Sequence, residues 1–172
     1  MNINKNIAFL FVMSTIFALI EIEIEGKHGW AKKLPTTNIV PFSKVKYYHL
    51  YIFLFVSIMF TFIYGLNYFS IAMIIIFFFI EDFIWFILNP HYGVTKYTKK
   101  DIPWHKDEIW LLNQPIHNYI VILILIFISL YYKNTQIMYI LVYSLVFIFF
   151  ITIISKLYHL FHKQTHKNVS NN

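Results

Sequence analysis

The 172-residue chain contains no cysteine. That removes disulfides, Cys-ligated zinc, iron–sulfur clusters and thiol nucleophiles together, and leaves the redox compartment unspecified. Arginine is absent as well, so all 14 basic residues are lysines. With Asn, Ile, Phe and Tyr abundant, this reads as a coding bias, and no function is drawn from it. Glycine and proline are scarce, at four and five, so each one marks a break between long uninterrupted segments. Charge is scarce too: 13% of residues are charged, where a soluble domain carries roughly a quarter.

What fills the chain instead is apolar: 59% of residues are hydrophobic and 21% aromatic. Several apolar runs reach the ~20 residues needed to cross a bilayer core. The predicted fold class is therefore all-α, an integral membrane bundle of about five transmembrane helices. The formal charge of +6 would suggest nucleic acid in a soluble protein. In a membrane chain lysine excess is first a topology signal, so the expected partner is the lipid bilayer and not nucleic acid.

The spans are predicted at Ile7–Glu25, Tyr47–Gly65, Phe69–Leu88, Pro115–Tyr132 and Gln136–Leu157, all within a single domain over 1–160. Residues 161–172 form a polar tail expected to be disordered. Two very short connections, 66–68 and 133–135, make tight hairpins on one face, so the long segments 26–46 and 89–114 share the other. The hairpin face and N-terminus carry only Lys5 and Lys133; the other twelve lysines lie on the long-loop face. Lysine-rich loops are cytoplasmic, which predicts a cell-membrane protein with its N-terminus outside and its C-terminus inside. A cleaved signal peptide competes for the first span. The run ends in EIEIEG with no small-x-small site, which favours a retained helix.

All eight acidic residues and all eight histidines fall on that same loop side. Glu81 and Asp82 precede the end of the third span by two turns, ~10 Å below its end. Carboxylates at such depth cost a few kcal/mol unless paired, protonated or coordinated, which makes them candidates for function. The plainer alternative is a neutral acid hydrogen-bonded between helices. Glu21 and Glu25 are four apart and share a helical face, whereas Glu23 points elsewhere. His49 opens the second span, His105 sits in a PWHK turn and His117 opens the fourth span. Taken singly, each is most simply an interfacial histidine; together with Glu21, Glu25 and Glu81 they make a carboxylate–imidazole cluster. Such donors bind iron, manganese or zinc, giving Glu21, Glu25, Glu81 and His49 as candidate metal ligands. Glu25–His28 is the only Glu-x-x-His pair, so the di-metal helix-bundle signature is incomplete. A mononuclear site or a metal-free acid/base site using Glu81 with His49 fits equally well. The tail histidines 159, 162 and 166 read mostly as a helix end. In the second loop, DIPWHKDEIWLL is expected to form a short surface or interfacial helix carrying Trp104 and Trp110.

The stretches EIEIEGKHGWAKKLPT, YYHLY, EDFIWFILNPHYGV and IPWHK carry a pattern. It reads E-x-x-x-E-G-x-x-G-W-A-x-x-L-P-T, then Tyr-His, then E-D-F-x-W-F-x-L-N-P-x-x-G, then W-H. The pattern resembles that of a small family of uncharacterised prokaryotic multi-pass membrane proteins with no known activity. It covers Glu21 to His105 and implies a set of motif residues without a chemistry. Within it, Trp85 lies one turn from Glu81, where it can wall a pocket and desolvate the acid. Asn89 and Trp30 complete the expected substrate-binding set.

Two functions follow. One is a membrane enzyme working at the cytoplasmic interface on a lipid or amphiphilic substrate, with Glu81, Asp82, His49 and His105 as acid/base groups or ligands. The other is non-enzymatic, a small transporter subunit or membrane scaffold. The nearly apolar outer half argues against a monomeric carrier, which needs polar groups near the midplane and a path to both faces.

Overall fold

A computed structural model of the chain describes residues 3–26, 34–36, 46–102 and 107–169, with side chains described as far as residue 161. Five helices follow one another: α1 (Ile3–Glu25), α2 (Tyr47–Tyr64), α3 (Tyr68–Leu88), α4 (Ile116–Tyr131) and α5 (Thr135–Val169). All but α4 are long and apolar enough to cross a membrane. This is an all-α membrane helical bundle. α4, with 16 residues, is ~24 Å long against a hydrocarbon core of ~30 Å.

α3 is the central helix. Its spanning window is 67% buried, against 28% or less for the other three long helices, and it packs on each of the other four. Lipid tails are as apolar as leucine, so helices in a bilayer associate through close packing and hydrogen bonds rather than through the hydrophobic effect. The contact stripe of α1 shows this: Asn6, Leu10, Ser14 and Ala18 recur every fourth residue, all buried. The small residues Ser14 and Ala18 let the backbones approach, and Ser14 Oγ donates to Leu10 O at 2.8 Å, leaving no idle hydroxyl. Aromatic rings fill the wider gaps, with Phe11 stacked on Phe147 and Phe17 edge-on to Phe77.

The tight hairpin between α2 and α3 is set by Asn67. Its side chain accepts from Phe69 N and Ser70 N, and Ser70 Oγ accepts from Asn67 N in return. This reciprocal cap satisfies the first orphan donors of α3. At the far end, Gly93 has φ 70° and ψ −178°, a region open essentially to glycine alone. A Cβ there would also sit 3.3 Å from His159 Nε2. That nitrogen bonds Ile87 O at 2.8 Å and ties α5 to the end of α3.

Three expectations need correction. α1 begins at Ile3 rather than Ile7, so the buried Asn6 lies within the helix. α5 runs on as helix to Val169, through the segment expected to be a disordered tail. No glycine or proline interrupts Thr135–Val169, and extending an existing helix is far cheaper than nucleating one. The expected helix around Trp110 is instead a small hairpin. β1 (Trp110–Leu111) pairs antiparallel with β2 (Gln114–Pro115). Leu112 and Asn113, at φ 47° and 60°, form the two-residue turn, the positive-φ pair that such tight hairpins require.

Candidate functional site

α1, α2 and α3 each bring one part of a polar cluster to the loop end of the bundle. Glu21 and Glu25 lie one turn apart on the buried face of α1, while Glu23 is exposed. His49, in the first turn of α2, sits between them: its Nδ1 is 3.4 Å from Glu21 Oε1 and its Nε2 is 3.3 Å from Glu25 Oε1. Tyr48 stacks on the His49 ring, and its hydroxyl lies 3.0 Å from Nε2. From α3, the buried Glu81 side chain comes close enough to Glu21, and then to Glu25, to feel their charges. Glu81 Oε1 is buried and has no hydrogen-bond partner among the described residues.

The surroundings of His49 accommodate the ring with or without its second proton. When Nε2 carries no proton, Tyr48 Oη can donate to it. When Nε2 is protonated, Glu25 and Tyr48 can both accept. The side chains of Glu21 and Glu25 are only 10% and 4% exposed, but that of His49 is 26% exposed. The ring is thus more exposed than the two carboxyls it meets.

Asn89 and Tyr92 close the site. Asn89 Nδ2 donates to Gly26 O at 2.9 Å, tying the end of α3 to the end of α1, and its Oδ1 accepts from His91 N. Both ends of this amide serve the backbone, so Asn89 braces the helix junction. Trp85 is buried and meets Tyr92 with ring centroids 5.5 Å apart. Burial and then the Glu25 carboxylate push the Tyr92 hydroxyl above its ordinary value. Tyr92 thereby joins the site although its sequence context, a turn NPHYG, carries no signal for it.

Asp82 lies about 100° around α3 from Glu81. Its charge acts on Glu81 and also on Tyr97. The Tyr97 hydroxyl is pushed up by burial first and then by Asp82, and it accepts from Asn118 Nδ2 at 3.2 Å. His117 does not join the main cluster; its Nδ1 pairs with Glu108 Oε2 at 2.6 Å. Trp30, His28, Trp104 and His105 lie outside the described residues.

Among the described residues no group of three or more His, Asp or Glu side chains is disposed to hold a metal. Both His49 nitrogens face side-chain partners. No family model matches the chain, nor does any curated protein or solved structure.

Proposed function

We propose that this membrane protein is an acid/base enzyme whose site, at the cytoplasmic end of the bundle, moves protons on a lipid or other amphiphilic substrate. The observation that carries this reading is the meeting of the buried carboxyls Glu21, Glu25 and Glu81 with the partly exposed His49. Glu81 Oε1 is buried there without a hydrogen-bond partner among the described residues, with Glu21 beside it. An acid/base site needs a group that can give up or take a proton next to a second that refills it. Glu81 is the group facing substrate, Glu21 its proton partner, and His49, held by Glu25 and Tyr48, the link to bulk water. Trp85 and Tyr92 wall the pocket and keep water from the carboxyls. The lysine distribution supports the sidedness: N-terminus outside, C-terminus cytoplasmic. Kinship with the uncharacterised prokaryotic membrane family belongs to the same proposal, because its motif positions Glu21, Glu25, His49 and Glu81 lie together here.

The experiment is solvent labelling. Purified protein in vesicles of total polar lipid extract is incubated in deuterated water, and the lipids are read by mass spectrometry. Time-dependent deuterium in one lipid class, or its cleavage, is expected with the wild type and absent with Glu81→Gln. A reporter fused at the C-terminus tests the sidedness and is expected in the cytoplasm.

A scaffold is the second reading, and the bridging geometry favours it over a transporter. His49 joins α1 to α2 and Asn89 joins α1 to α3, so the same bonds that prepare a site also lock three helices together. In that case Glu81→Gln leaves the lipids unchanged because the wild type does nothing to them.

A further inference from the structure

The hairpin before α4 presents apolar side chains outward. Ile109, Leu111 and Leu112 are 70%, 52% and 84% exposed. Three exposed aliphatic side chains in four residues are unusual for a water-facing turn, where Gly, Asn, Asp and Ser dominate. The turn nonetheless places Leu112 at φ 47°, a conformation disfavoured for a side chain of this type.

Several backbone groups beneath those side chains have partners. Ile116 N donates to Ile109 O at 2.8 Å, and the β1–β2 ladder closes the hairpin. Tyr119 Oη, one turn into α4, donates to Leu111 O at 3.0 Å. On the side toward the preceding loop, Lys99 Nζ donates to Glu108 O at 3.0 Å. In hydrocarbon every backbone polar group has to be satisfied within the protein; the Ile109 and Leu111 carbonyls have such partners, which suits a seat at the edge of that region rather than deep within it.

The length of α4 supplies the reason. At 16 residues it falls about 6 Å short of the hydrocarbon thickness. A two-residue antiparallel ladder adds about 7 Å. The hairpin continues directly into α4, whose Ile120, Leu123, Phe127 and Leu130 are exposed along its length. Tyr119 holds hairpin and helix together at their junction.

From this continuity we infer that the 109–112 hairpin is a lipid-embedded extension of α4, with Ile109, Leu111 and Leu112 seated in the acyl-chain region of the leaflet at the loop end. It completes the short fourth span with strand instead of helix. The occupant of the apolar surface is the bilayer itself, because the surface is contiguous with a helix that already faces lipid.

The chain's lack of cysteine makes the test direct. Single variants Leu112→Cys, Phe127→Cys and Lys100→Cys are spin-labelled and reconstituted in phosphatidylcholine–phosphatidylglycerol vesicles holding only this protein. Collision with oxygen, which concentrates in the acyl region, is compared with collision with a water-soluble nickel chelate. The oxygen-to-nickel ratio at Leu112 is expected to lie nearer to that of the span position Phe127 than to that of the loop position Lys100. A ratio nearer to Lys100 overturns the inference and leaves the hairpin as a water-facing surface for some other partner. Leu112 is nearly fully exposed, so its replacement does not disturb packing. Helical circular dichroism equal to wild type confirms that each labelled variant is folded.

Discussion

Replacing His49 by alanine removes a ring that stands between Glu21 and Glu25. The structure sets the size of the effect. Unit charges at 3.3–3.4 Å attract by about 5 kcal/mol per pair at an effective dielectric constant near 20. Desolvation offsets much of that, and removing one member of a buried ion pair costs about 3–5 kcal/mol in practice. A neutral hydrogen bond between membrane helices contributes far less, ~0.6 kcal/mol on average and ~1.7 at most. The two ranges do not overlap, so the measurement decides what kind of bridge this is. With Glu21 and Glu25 both buried, the account predicts a loss of about 3 kcal/mol or more in His49→Ala. Unfolding is followed in mixed micelles by titration with a denaturing detergent, read by tryptophan fluorescence. A double-mutant cycle with Glu25→Gln isolates the pairwise part, and coupling above about 1 kcal/mol is expected. A loss under about 1 kcal/mol with no coupling would show that His49 is a lightly bonded interfacial residue, and the proton route drawn through it would fall.

Three further outcomes follow from particular contacts. Gly93→Ala should cost about 1–3 kcal/mol in the same assay, because its backbone region excludes a side chain and His159 stands 3.3 Å from the new Cβ; a neutral result would mean the loop relaxes freely. Tyr97 has its hydroxyl raised from 10.0 by burial and Asp82. The folded state therefore holds this proton after the unfolded chain has lost it, so its contribution to stability is complete below pH about 10 and declines as pH rises beyond. In an ultraviolet tyrosinate titration, the wild type minus Tyr97→Phe should show one group ionising above the ordinary range, and a midpoint near 10 would contradict this. Metal analysis of purified protein should find no stoichiometric iron, manganese or zinc; a stoichiometric metal lost in His49→Ala would replace the acid/base cluster with a metal site.

Much of this architecture is legible in the sequence, for physical reasons. Apolar runs of about 20 residues leave few alternatives to membrane helices, because a lipid-facing backbone must satisfy its own hydrogen bonds. Four-residue spacing placed Glu21 and Glu25 on one face and Glu23 on another, as in the structure. What sequence could not settle was pairing across helices. His49 and His117 look alike, each near the start of an apolar helix, yet one bridges α1 carboxylates and the other meets Glu108. The bond from Asn89 to Gly26 O across the α1–α3 junction is likewise invisible in the sequence. Tyr92 gave no signal because its role depends on where the turn after α3 lands. The hairpin at Trp110 was missed because Leu112 and Asn113 adopt positive φ without a glycine, and the helical tail because continuation from a long span outweighs a polar composition.

The central claim is tested most directly by comparing solvent deuterium uptake into lipid by the wild type, Glu81→Gln, His49→Gln and Glu23→Gln under identical conditions. Glu23 is exposed on the same helix as Glu21 and Glu25, so its replacement controls for charge alone. The account predicts label, or cleavage, in one lipid class with the wild type and Glu23→Gln, none with Glu81→Gln, and a strongly slowed rate with His49→Gln. Equal label in all four samples, or no lipid changed by the wild type, would contradict it and leave the cluster as a lock between helices.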